Sequence, residues 1–125
     1  MFELTIKDEV YQFRFGMAFV RDIDKKAQRK ENGVTKDVGL QFAVASILDK
    51  DPLGLVDILE IANKTEKPRV TKKLLDEYLE DENTDIDAIF DEVLDFFEKG
   101  NSTKATTAAV KELVEEAKAK ANQTE

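Results

Sequence analysis

Residues Leu74 to Glu98 hold 11 carboxylates and no Lys or Arg. Oxygen donors at that density suggest two chemistries: binding a hard cation, or acid–base work by paired carboxylates. The cation reading can be placed residue by residue. Asp81, Asn83, Asp85, Asp87 and Glu92 fall at positions 1, 3, 5, 7 and 12 of a calcium-loop window, as in an acidic calcium-responsive module. The loop needs Gly at its sixth position to turn sharply, and Ile86 stands there. An apolar period of helical type also runs from Ile86 through the second half of the window. Glycoside hydrolysis by two carboxylates needs the acids opposed across a cleft, whereas these share one convex helix face.

The rest of the chain narrows the chemistry further. It contains no His and no Cys, so Ser-His and Cys-His nucleophiles, imidazole ligands and thiolate metal sites are excluded. No Gly-rich phosphate loop is present. The expectation is a non-enzyme with no catalytic residue, no metal site and no cofactor. Residues 1–73 carry a net +2 and residues 99–125 a net +1, so the acidic stretch accounts for the total of −8. With a pI near 4.7, nucleic acid is not an expected partner, because phosphate binding needs a clustered positive field. No apolar run approaches the roughly 20 residues that span a bilayer, and the N-terminus lacks the pattern of a signal peptide.

The elements that position these groups follow from periodicity. Phe2, Leu4 and Ile6, then Tyr11, Phe13 and Phe15, alternate with polar residues, which predicts a two-stranded antiparallel hairpin over residues 2–15. Its single apolar face must dock on helices. A helix is predicted over about 17–27, with Lys25, Lys26, Arg29 and Lys30 as a basic run suited to its C-terminal dipole, then a turn at Asn32-Gly33. Asp37 is the predicted cap of a second helix, 38–48. Asp51-Pro52 opens a third, 52–63. These two are apolar over more than half their circumference. Either they form the central core, or one leaves apolar surface for a partner.

The acidic stretch itself divides into two helices. Thr71 caps the first, 72–82. Thr84, at capping-box spacing from Asp87, opens the second, 86–98. In that second helix Ile86, Ile89, Phe90, Val93, Leu94 and Phe97 face inward, while Asp87, Asp91, Glu92, Asp95 and Glu98 face out. Its outward face reads either as solvation or as a docking face for a basic partner. Gly100 ends it. A last helix runs from Asn101-Ser102-Thr103 to about Ala121, with Val110, Leu113, Val114 and Ala117 as a narrow apolar stripe. The predicted organisation is α+β, mainly α: a hairpin packed on a bundle of five to six helices. Residues 1–100 make one compact domain, and 101–125 make an amphipathic helix with little to bury.

Two stretches carry a family resemblance. "FELTIKDEVYQFRFGMAFVRDIDKK" resembles the N-terminal hairpin and first helix of the small tail assembly chaperones of long-tailed phages and prophages of Gram-positive bacteria. "TEKPRVTKKLLDEYLEDENTDIDAIFDEVLDFFEK" resembles the connector, acidic break and following helix of the same family. Order and spacing agree over about residues 2–100. The resemblance implies a chaperone that binds the long helical tape measure protein in the host bacterial cytoplasm. There it keeps the cargo soluble until the tail tube polymerises, and it is absent from the mature virion. It further implies recruitment of the tail tube protein by a longer, frameshifted form, to which this chain would be the short counterpart. The alternative function is a structural adaptor of the tail. Val110, Leu113, Val114 and Ala117 are the expected partner-binding residues, and open hairpin edges leave self-association among the expected contacts.

Overall fold

A computed structural model describes residues 1–123. Strands β1 (Phe2–Ile6) and β2 (Glu9–Phe13) pair antiparallel, with Phe2 opposite Phe13 and Ile6 opposite Glu9. The two-residue turn Lys7-Asp8 has positive φ at both positions, 51° and 65°, the mirror-image turn that suits the right-handed twist of a hairpin. The predicted alternation holds: Phe2, Leu4, Ile6, Tyr11 and Phe13 are buried on one face.

Six helices follow: α1 (Met17–Asp24), α2 (Gly39–Leu48), α3 (Pro52–Asn63), α4 (Lys72–Glu80), α5 (Ile86–Lys99) and α6 (Lys104–Gln123). The molecule is α+β and mainly α. The hairpin face lies against α3 and α5. There Phe2, Phe15, Phe19, Phe96 and Phe97 build an aromatic cluster, Phe15 meeting Phe97 edge-on at 5.3 Å and 87°, a favoured geometry for ring quadrupoles. α3 is packed by α1, α2, α4 and β2. That surround explains why Val56 and Ile61, which lie off its main apolar stripe, are buried all the same.

A second hairpin, β3 (Gln28–Glu31) and β4 (Val34–Asp37), turns at Asn32-Gly33 with φ of 50° and 78°. The sequence marks the turn but not its strands, because no apolar alternation flanks it. Every residue of the two strands is exposed. The first helix therefore ends at Asp24 and not near Ala27, and the basic run leaves the helix for β3. The reason lies at the joint between α1 and α2. A Cβ on Gly39 would overlap the Ile23 carbonyl oxygen, so the two helix ends touch, and the Asp24 carboxylate accepts from Leu40 N at 3.2 Å. Asp24, not Asp37, thus satisfies the start of α2. Asp37 instead accepts from Gln28 across the hairpin.

The other helix ends match local chemistry. Asp51 accepts from Leu53 N and Thr71 from Leu74 N, both at 3.1 Å, as capping predicts. α5 is capped by Asp85, which accepts from Ala88 N. Thr84, the predicted cap, donates to Tyr78 O at 2.6 Å instead. α2 ends with Lys50 at φ 54°. Lys50 N donates to Ile47 O and Asp51 N to Ser46 O, the paired bonds of a Schellman ending.

Candidate partner-docking surface

The four sequence-predicted contact residues occupy three environments along α6. Val110 is 8 % exposed and belongs to the core. Val114 is half-buried against that core. Leu113 is 64 % exposed, and Ala117 is exposed. The first half of α6 packs on α2 and α5. Thr103 and Thr107 are fully buried there, and both donate to Phe97 O, at 2.8 and 3.2 Å. These bonds satisfy a carbonyl at the end of α5 that the helix itself leaves open. From Glu115 to Asn122 the helix is exposed.

Leu113 is not isolated. It lines a shallow groove of about 170 Å³ with Phe42, Ala45, Val110, Gln41 and Arg29. Phe42 is 54 % exposed and also lines an adjoining depression of about 250 Å³ beside Ile23, Gly54 and Ile58. The two meet at Phe42 and form one apolar strip that runs from α1 and α3 across α2 to the second hairpin and α6. Both depressions fall below the roughly 300–1,000 Å³ of small-molecule sites; a strip of this kind suits side chains from another helix. Phe42 is part of the broad apolar circumference expected for this helix, but on a helical wheel it lies opposite Leu40, Ala43, Val44 and Ile47. That angle was the available signal.

Charge around the strip is positive. Residues 25–37 hold five cations against two anions. Lys26 and Arg29 line the two depressions. The one carboxylate there, Asp57, is held by Lys72 at 3.1 Å, and this hydrogen bond is the main cause raising the Lys72 pKa above its usual value. Lys50 and Lys111 are raised in the same way, first by hydrogen bonds to Asp87 and Glu98. Three of the five carboxylates on the outer face of α5 are thus already engaged by cations: Asp87 by Lys50, Asp95 by Lys99 and Glu98 by Lys111.

The calcium window is taken up by secondary structure. Asp81 accepts from Asn83 N, Asp85 caps α5, and Ile86 is the first residue of that helix. Among the described residues no three acidic side chains gather as they would around a metal ion. A wider depression of about 490 Å³ lies between Phe13, Phe15 and Phe96. Its charged groups pair with carboxylates: Arg14 with Glu66 and Lys99 with Asp95. No described helix is long and apolar enough to cross a membrane.

No curated protein and no solved structure matches the chain. One protein family, described as phage tail assembly chaperone protein, TAC, matches residues 3–112. That span runs from the first hairpin through Val110, and the role it describes is non-catalytic assembly of tail proteins. The chain belongs to the phage tail assembly chaperone family.

Proposed function

We propose that this chaperone binds the tape measure protein of its phage and holds it soluble in the host bacterial cytoplasm until tail tube subunits close around it. The observation that carries this reading is the strip shared by Phe42 and Leu113, in a chain whose family assembles tails. A tape measure helix would lay its own apolar stripe there, with Val114 and Ala117 extending the contact along α6. Burying an exposed Phe or Leu contributes roughly 1.5–3 kcal/mol each. Ordering both partners offsets much of that gain, so repeated weak grips along a long cargo suit a holdase better than one tight site. The tail tube protein would be recruited through a longer, frameshifted form, and the chaperone would be missing from the finished virion.

Co-expression tests this. The tape measure product should move into the soluble fraction with the wild-type chain. It should fall back toward its level without the chain when Phe42→Ser is combined with Leu113→Ala and Val114→Ala. Unchanged co-purification would remove the strip from the mechanism. Mass spectrometry of purified particles separates a chaperone from a tail adaptor, which would be retained.

A further inference from the structure

The β3–β4 arm buries none of its strand residues, so its own packing does not account for it. A two-stranded hairpin without cover is marginal in water. At its base Val38 N donates to Ala27 O at 2.8 Å. Its pairing, however, works against it. Arg29 stands directly opposite Lys36, and like charges so placed repel across a strand pair.

Acid is not scarce in this chain, which has 27 carboxylate side chains for 19 cations. Six basic side chains elsewhere each hold one, Lys50 and Lys72 among them. On the arm Arg29 meets its strand neighbour Glu31 at 3.7 Å. Lys25, Lys26, Lys30 and Lys36 make no ion pair among the described residues.

Register decides which way these charges look. Residues directly opposite, and residues two apart on a strand, share a face. Arg29, Glu31, Val34 and Lys36 therefore lie on one face, and Gln28, Lys30, Thr35 and Asp37 on the other. Arg29 lines the groove of Phe42 and Leu113, so its face continues the wall of that groove. Val34, 58 % exposed, adds an apolar side chain to it, and Lys26 rims the adjoining depression.

We infer that the arm selects a cargo helix by its acid content. The apolar stripe of such a helix seats on Phe42 and Leu113, and the Asp or Glu residues flanking that stripe stand over Arg29 and Lys36. The inference rests on the reading of the strip as a cargo-docking surface and adds the kind of helix it takes. Carboxylates supplied there relieve the repulsion between Arg29 and Lys36, and the cargo covers a hairpin that nothing in the chain covers. Such pairs set register and partner choice more than affinity. A polyphosphate fits the arm less well, because Glu31 shares the cationic face and the net charge of −8 repels it.

Fluorescence anisotropy with labelled designed peptides tests this on the full-length chain. Three helical peptides share one Leu stripe and differ at the flanking positions, which are Glu, Gln or Lys. The Glu peptide should bind about tenfold tighter than the Gln peptide, the gain of a few partly exposed ion pairs, and the Lys peptide should bind weakest. Added salt should bring the three together. Arg29→Glu with Lys36→Glu should invert the order. Lys64→Glu with Lys67→Glu, the same change of net charge on the connector after α3, should leave it standing. All four positions are exposed, and far-UV circular dichroism checks the fold of each variant. Equal binding of the three peptides by the wild type overturns the inference and leaves the strip as an apolar site. So does an order that the arm variant does not change, or one that the connector variant inverts. An oligouridylate that displaces the Glu peptide overturns it in favour of nucleic acid. Phe42→Ser tests the docking strip separately and should abolish binding of all three peptides. If it does not, or if the wild type binds none, the strip is not the site and both readings fall.

Discussion

Asn63 is fully buried, yet it makes no contact with the proposed docking strip. Its amide nitrogen donates to Gln12 O at 2.9 Å and Pro68 O at 3.1 Å, and its oxygen accepts from Val70 N at 2.6 Å. Two segments with no regular pairing between them, β2 and the connector after α3, thus have three backbone groups satisfied by one side chain. Asn63→Ala leaves those groups unpaired as well as opening a small void, and each unpaired buried group costs about 1–3 kcal/mol. The expected loss, about 3 kcal/mol or more, would be read from urea unfolding. Asn63→Asp keeps the shape but turns a carboxylate toward two carbonyl oxygens. Its charged form is disfavoured in the folded state, so this variant should recover stability as pH falls from neutral into the acid range. Thr107→Val is a milder case, because Thr103 still donates to Phe97 O; about 1 kcal/mol is expected. None of these roles was legible in the sequence. Asn63 reads there as a polar residue ending a helix, and its partners are brought near only by the fold.

At the scale of elements, periodicity carried far where one face is buried. The first hairpin, the inner face of α5 and the Asp51 and Thr71 caps were readable because each rests on a local rule. The second hairpin was not, because with every residue exposed it has no apolar alternation to reveal it. The cap of α2 was misplaced for a related reason: Asp24 reaches it from 16 residues away, beyond any capping spacing. That joint makes a sharp prediction. Gly39→Ala places a methyl group on the Ile23 carbonyl and must prise α1 from α2, so a loss of more than about 1 kcal/mol is expected on thermal unfolding. The outer face of α5 behaves differently. Asp91 lies four residues from both Asp87 and Asp95 and has no ion pair of its own among the described residues, whereas those two are engaged by Lys50 and Lys99. Asp91→Asn removes two like-charge contacts worth about 0.2–0.5 kcal/mol each, so the melting temperature should rise slightly without any change in cargo solubility.

For the molecule as a whole, charge is divided between two regions. Residues 25–37 are a net +3 in a chain of net −8, and the basic share sits on an arm beside the apolar strip. Sequence composition showed the acidic excess but not this division, because the basic residues read there as a helix end. The strip itself was half visible: Leu113 was singled out, whereas Phe42, from a distant helix, joined it only through packing. A peptide covering one tape measure helix should bind the full-length chain in calorimetric titration, and Phe42→Ser should abolish that binding.

The aromatic cluster has a consequence for the order of events at the ribosome. Phe2 and Phe15, among the first residues made, find their ring partners in Phe96 and Phe97. Ser102 then fastens the strand end by donating to Phe15 O at 2.9 Å. The hairpin can pair as soon as it emerges and can meet α3 midway through synthesis, but the α5 side of its apolar face has no cover until nearly the whole family-matched span has left the exit tunnel. Contacts this distant in sequence form late. Stalled nascent chains should keep the hairpin open to protease until Ser102 has emerged, and protect it soon afterwards. A member of a chaperone family must therefore carry part of its own apolar surface uncovered through most of its synthesis.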